Sequence, residues 1–118
     1  VREGSRLLGV ASEGRAIAGA VQLHRGMPPN QRHRAEVSKL MVHPAFRRRG
    51  VARALMAALE AEAQRDGRRL LTLDTRSGSE AEPLYRSLGY ETSGIIPGYC
   101  RDPFEERLDS TTVIYKAL

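Results

Sequence analysis

The chain has 118 residues and a mass of 13.1 kDa, a length that suits one compact domain with one hydrophobic core. Hydrophobic residues at 41% and charged residues at 28% exclude a disordered or fibrous chain. No apolar run nears the ~18–20 residues of a membrane span, and Val1-Arg2-Glu3-Gly4 lacks the apolar stretch of a secretory signal. Nineteen Lys+Arg against 14 Asp+Glu give a net charge of +5, and 17 of the 19 are arginine. Arginine's forked donors suit phosphate, although a solvated arginine-rich surface has the same composition.

Arg6 to Ala11 is apolar, Ser12-Glu13-Gly14-Arg15 signals a turn, and Ala16 to His24 is apolar again. Two strands of a hairpin are predicted there. Gly26-Met27-Pro28-Pro29-Asn30 reads as a loop, because prolines cannot feed a strand ladder. Glu36 to Val42 is a third predicted strand, ending at His43-Pro44. From Arg49 the period changes: Ala52, Leu55, Met56, Leu59 and Ala63 share a helical face, and Asp66-Gly67 stops the helix. Leu70 to Asp74 reads as a buried strand. Ser77 or Ser79 is expected to cap a second helix carrying Leu84, Tyr85 and Leu88 and closed by Gly89. Tyr90 to Ile96 is then a strand, Pro97 to Asp109 a loop, and Thr111 to Lys116 a last strand. This order gives an α/β or α+β class with a mixed sheet, in which a strand–helix–strand unit makes one locally parallel pair.

Several chemistries lose support at once. Cys100 is the only cysteine, which excludes an internal disulfide and a cysteine-cluster metal site and fits a reducing cytoplasm. His24, His33 and His43 have no HExxH-like spacing, and neither a GxxxxGK[ST] loop nor a GxGxxG fingerprint is present. The segment that carries chemistry is Val42-His43-Pro44-Ala45-Phe46-Arg47-Arg48-Arg49-Gly50-Val51-Ala52, where a strand runs through a turn into a helix. The first turn of a helix has backbone N–H groups without internal partners, at the positive end of the macrodipole. An anion is stabilised there. Gly50 and Ala52 let a ligand approach the backbone, and Arg47, Arg48 and Arg49 add charged donors. The segment thus reads as a diphosphate seat; a solvated basic corner or a nucleic-acid contact are the competing readings.

Arg47-x-x-Gly50-x-Ala52 matches the [QR]-x-x-G-x-[GA] motif of the GNAT N-acetyltransferases, and Leu84-Tyr85-x-x-x-Gly89-Tyr90 resembles that family's LY-x-x-x-G[FY] segment. More narrowly, Arg34-Ala35-Glu36-Val37, Lys39-Leu40-Met41-Val42, Leu73-Asp74-Thr75 and Pro97-Gly98-Tyr99-Cys100 resemble the tabtoxin-resistance acetyltransferases within it. The resemblance covers about Arg34 to Leu118. It implies a mixed, centrally splayed sheet flanked by helices, and acetyl transfer from acetyl-CoA to a primary amine without a metal. Leu40, Met41 and Val42 would lie on a bulged strand whose backbone pairs with the pantetheine arm, as an added strand would. A backbone N–H near Leu40 or Met41 would stabilise the oxyanion. Arg47, Arg48, Arg49, Gly50, Val51, Ala52 and Arg53 would hold the diphosphate. Tyr85 matches the tyrosine beside the coenzyme sulfur and would act as general acid. Glu36 and Asp74 match acidic positions and would bind the amine or take its proton; at the end of an apolar strand, Asp74 is costly without a partner. Cys100 would be a bystander, His43 a strand-end residue, and Tyr99 part of the acceptor side.

The chain departs from that pattern at several points. It opens on the hairpin, so a first strand and one or two helices that precede it in the family are expected to be missing. The whole of 1–118 is thus one GNAT domain, N-terminally incomplete, with an exposed edge that favours a homodimer. Arg48 stands where many relatives have glycine and Gly78 where many have asparagine. The acceptor implied is a small, amino-acid-like amine of the resistance type, with neither nucleic acid nor membrane as partner. The alternatives are a basic nucleic-acid-binding module, disfavoured by two Phe, four Tyr and no Trp, and a non-catalytic coenzyme-binding fragment.

Overall fold

The computed structural model describes residues 6–118. They form a mixed α+β fold with six strands and two α-helices: β1 (Arg6–Glu13), β2 (Ala16–His24), β3 (Arg34–Val42), α1 (Val51–Arg65), β4 (Leu70–Arg76), α2 (Ala81–Ser87), β5 (Glu91–Arg101) and β6 (Leu108–Ala117). The chain divides into two compact units, one running up to Leu71 and including Ala117 and Leu118, the other Thr72–Lys116.

In the first unit β1, β2 and β3 form an antiparallel ladder in chain order. The predicted hairpin is present, with β1 two residues longer than its apolar run. Val21 and Leu23 on β2 and Ala35 and Val37 on β3 are buried, with period two, while the residues between them stay partly open. Helix α1 lies against this ladder through Leu55, Met56, Leu59 and Ala63, all buried. These are the positions whose spacing predicted the helix; Ala52 is only half-buried. Each of the three large side chains contributes about 1.5–3 kcal/mol by leaving water. Arg68, just beyond α1, donates to the carbonyls of Arg32 (2.7 Å) and Arg34 (3.2 Å) and so fastens the start of β3.

In the second unit the strand order is β4-β6-β5, and Leu73, Tyr85, Tyr90, Thr111, Thr112 and Ile114 are its buried residues together with Asp102. Two expectations need correction here. Neither Ser77 nor Ser79 caps α2: its N-cap is Glu80, without a side-chain cap. The Ser77 hydroxyl instead meets Thr112 (2.9 Å), and Ser79 meets Thr75 (3.1 Å). The Glu82 carboxylate takes up Gly78 N–H, and the Thr112 hydroxyl, that amide and Arg86 hold this carboxyl below the usual range. Pro83, third in the helix, falls where N–H groups have no helical acceptor, so its ring is tolerated.

The second correction concerns Pro97 to Asp109. The ladder continues through Cys100↔Asp109 and Arg101↔Leu108, and the connection is only Asp102–Arg107. Pro97 and Gly98 signal a loop in sequence, yet between Ile96 and Cys100 β5 carries two residues more than β6 opposite. A bulge on the outermost strand absorbs proline and a left-handed glycine without losing a central ladder bond.

Candidate active site

The structure places the sequence-derived site residues in two groups, one in each unit. In the first unit, β2 and β3 pair Ala20 with Met41 and Gln22 with Ser38, so Lys39 and Leu40 together lie opposite Val21. This is a β-bulge, with Lys39 at φ 53. The strand expected to be bulged is therefore bulged, at the residue before Leu40. Met41 is 61% exposed, and Leu40 and Val42 are half-buried.

From Val42 the chain enters a short 3-10 turn, Pro44–Phe46, whose N-cap is His43, its Nδ1 accepting from Ala45 N–H at 3.1 Å. Arg48 (φ 64) and Gly50 (φ 77) are then both left-handed, and α1 starts at Val51. The first bond of α1 runs from Ala54 N–H to Gly50 O, at 3.0 Å. The amides of Val51 and Ala52 stand before it, no side chain caps the helix, and no acid occupies its first turn. A Cβ added at Gly50 would meet nothing within 4 Å. The helix start is thus positive, unblocked and open, which fits a diphosphate. Arg47, Arg48 and Arg53 are exposed around it. Arg49 is engaged elsewhere, 3.3 Å from Glu13 and 5.5 Å above the Phe46 ring, a diversion that nothing in the motif signals.

Glu36, on β3 four residues before Leu40, is half-buried opposite His24 and has no ion-pair or hydrogen-bond partner among the described residues. Arg34, two residues before it on the same strand, donates to Gln31 Oε1 from Nε (3.0 Å) and from a terminal guanidinium nitrogen (2.6 Å). His24 shares a hydrogen bond with Ser38, and burial, then the charge of Arg6, lowers its pKa despite Glu36. A separate groove of about 400 Å³ lies along β1 and α1, but its lining of Leu7, Gly9, Ala54, Leu55 and Ala58 offers no reacting group beyond Glu62 at one end.

In the second unit Tyr85 is 5% exposed, and burial pushes its phenol up to about 12. Its position is set by the end of α2. Gly89 (φ 92) donates to Arg86 O, and Tyr90 N–H to Tyr85 O, the paired bonds of a Schellman cap that requires a left-handed residue. The apolar contact of that cap is the edge-to-face packing of Tyr90 on Tyr85, with ring centroids 5.4 Å apart. The Tyr85-x-x-x-Gly89-Tyr90 spacing is therefore a helix stop that orients a tyrosine.

Asp74, at an exposed position of β4, accepts from Thr111 Oγ1 at 2.9 Å. The sequence does not single out Thr111, an ordinary strand residue 37 positions from Asp74. Tyr99 and Cys100 are exposed on β5. Among the described residues no three His, Cys, Asp or Glu form a group able to hold a metal, and no helix is long and apolar enough to cross a membrane.

A bulged strand leading through an arginine-rich turn into an uncapped helix gives this α+β fold a start of α1 that suits a phosphate-bearing ligand. Residues 1–96 match the acetyltransferase (GNAT) domain family, and the chain belongs to that family. It is accordingly an acetyl-CoA-dependent N-acetyltransferase by family. Solved structures agree. The ribosomal-protein-alanine N-acetyltransferase of Brucella melitensis superposes with a TM-score of 0.84 at 26% identity, over 94% of this chain and 68% of that one. A Salmonella typhimurium protein assigned as an acetyltransferase, solved with its cofactor acetyl-CoA, gives 0.84 at 25% identity, over 94% and 64%. The ribosomal-protein-S18-alanine N-acetyltransferase of Escherichia coli shares the fold at 20% identity, with a TM-score of 0.83 over 98% and 71%.

Proposed function

We propose that this acetyltransferase acts on the primary amine of a small, amino-acid-like molecule, by direct attack in a ternary complex. The observation that carries this reading is that Glu36 and Asp74, one in each unit, have no cationic partner among the described residues of a chain with 19 Lys+Arg. A carboxylate left without a cation attracts an ammonium group and accepts a proton from it. The stretches that resemble tabtoxin-resistance acetyltransferases point to an acceptor of that resistance type.

The coenzyme supplies the acetyl group as a thioester. Val51, Ala52 and Gly50 amides, with Arg47, Arg48 and Arg53, hold its diphosphate; Arg49 stabilises the turn through Phe46 and Glu13. Leu40, Met41 and Val42 offer backbone groups to the pantetheine amides, and an N–H at the bulge donates to the thioester oxygen as negative charge develops. Asp74 or Glu36 takes the amine proton. Tyr85 donates a hydrogen bond to the departing sulfur. With its phenol at about 12, full transfer to a thiolate of ordinary pKa about 8.5 would run uphill by about 5 kcal/mol, so hydrogen-bond donation is its contribution.

A cytoplasmic setting suits the lone, exposed Cys100. A homodimer is the accompanying assembly, with Leu8 and Val10 of β1 exposed, and sedimentation tests it. The acceptor is tested by following thiol release from acetyl-CoA with a panel of free amino acids, simple amines and an alanine-ended peptide. Turnover of a free amino acid is the expected result. Turnover of the peptide alone would move the acceptor to a protein N-terminus, and no turnover at all would contradict the assignment of catalysis to this chain.

A further inference from the structure

We infer that Thr111 is a positioning residue, holding Asp74 for its work on the acceptor amine; the inference rests on the role given to Asp74 above. Residues two apart on a strand share a face, so Asp74 lies beside Arg76 on β4, and Thr111 beside Asp109 on β6. Arg76 is the cation on that face of β4. It is engaged by others: its guanidinium lies 3.4 Å from Asp102 and 3.3 Å from Asp109. Arg107 reaches the same two aspartates, at 3.1 Å each, and Glu105 at 2.5 Å. Asp102 is further fixed by the amides of Phe104 (2.8 Å) and Glu105 (3.0 Å). These amides, first that of Phe104, with Arg107, hold its carboxyl below the ordinary range. The network keeps both arginines at the Asp102–Arg107 connection.

What meets Asp74 is a neutral hydroxyl. Thr111 Oγ1 is 2.9 Å from Asp74 Oδ2 and 3.1 Å from the carbonyl oxygen of Thr75. The donor is 3% exposed while the carboxylate it serves is at an exposed position. A surface pair formed by chance would have both ends in water. A β-branched side chain packed this deeply is restricted at χ1, which holds the hydroxyl oxygen between the Asp74 carboxylate and the Thr75 carbonyl. The hydroxyl orients one carboxylate oxygen and leaves the other for a ligand. Unlike an arginine, it does so without cancelling the charge that would attract an ammonium.

The test measures kcat/KM with the best free amino acid of the panel for T111V, T111S, D74N and the T111V/D74N double variant, with acetyl-CoA affinity by calorimetry as the check on folding. T111V keeps the shape of the side chain and removes the donor. The expected result is an about tenfold loss for T111V with acetyl-CoA affinity within about twofold, recovery to within about twofold for T111S, and a double variant no worse than D74N. Full activity in T111V, equal losses in T111S and T111V, or losses that multiply in the double variant would overturn the positioning role. Full activity in D74N would remove the role of Asp74 itself, a separate failure that takes this inference with it.

Discussion

Replacing Gly19 with alanine tests how tightly the fold builds the coenzyme site. Gly19 is buried in β2, between Ala11 of β1 and Val42 of β3. A Cβ there would lie 2.7 Å from the carbonyl oxygen of Met41, 3.0 Å from Val51 Cγ1 and 3.1 Å from Leu55 Cδ1. The aliphatic contacts are about 0.5 Å inside the 3.5 Å at which carbon pairs begin to attract. The carbonyl is backbone and cannot rotate away. Relief requires β3 to move at its bulge or α1 to lift at its first turn, and overpacking of this kind costs about 1–3 kcal/mol. At roughly 4 °C per kcal/mol for a domain of this size, the melting temperature of G19A falls by roughly 4–12 °C. Met41 and Val51 are both assigned to the coenzyme in the proposed mechanism, so on that proposal acetyl-CoA should also stabilise G19A less than wild type. Thermal melts with and without acetyl-CoA measure both effects. G9A is the control, since the nearest atom there is a side-chain carbon, Val21 Cγ1, at 3.3 Å. A G19A melt within about 2 °C of wild type would refute the claim that this contact sets the spacing of β3 and α1.

At Gly50 an added side chain has open space, so G50E is expected to fold, with a penalty of about 1–2 kcal/mol for a left-handed non-glycine residue; its carboxylate at the start of α1 should lower acetyl-CoA affinity by about a hundredfold or more, read by calorimetry. Y85F should lower kcat more than it raises the KM for acetyl-CoA, since only a hydrogen bond to developing charge is removed. Tyr85 also gives an alkaline signature. Its folded pKa of about 12 lies above the reference 10.0, so its contribution is complete below pH 10 and is lost as pH rises towards 12, by up to about 3 kcal/mol; denaturant melts of Y85F should lack this part of the loss. E13A removes only an exposed partner of Arg49 and should change stability by less than about 0.5 kcal/mol.

What the sequence makes legible is local. The face of α1 follows from the spacing of Leu55, Met56, Leu59 and Ala63, and the Gly89 stop is visible together with the tyrosine it orients. The extent of β5 is hidden, because Pro97 and Gly98 have the same identities in a loop as in the bulge of an outer strand. The bulge at Lys39 is hidden too: lysine carries no preference for a left-handed backbone, and the resemblance, rather than the residue, pointed to it. Partnerships between distant residues leave no mark in the chain. Asp74 reads as a lone carboxylate until β6 brings Thr111 to it, and the contact of Arg49 with Glu13 of β1 is equally invisible in the motif. Serine is a common helix cap, yet Ser77 and Ser79 bind hydroxyls on neighbouring strands because those are also within reach.

The central claim is that the amides and arginines at the start of α1 grip the paired phosphates of the coenzyme. Calorimetry on wild type and on G50E, with acetyl-CoA and with S-acetylpantetheine, which keeps the thioester and the pantetheine arm but lacks the diphosphate and the adenosine 3′-phosphate beyond it, reads that grip as the part of the acetyl-CoA advantage that G50E loses. Two charge-assisted contacts at about 1.5–3 kcal/mol each place acetyl-CoA about a hundredfold or more ahead. Equal affinities of wild type for the two ligands, or an advantage that G50E keeps in full, would contradict the claim.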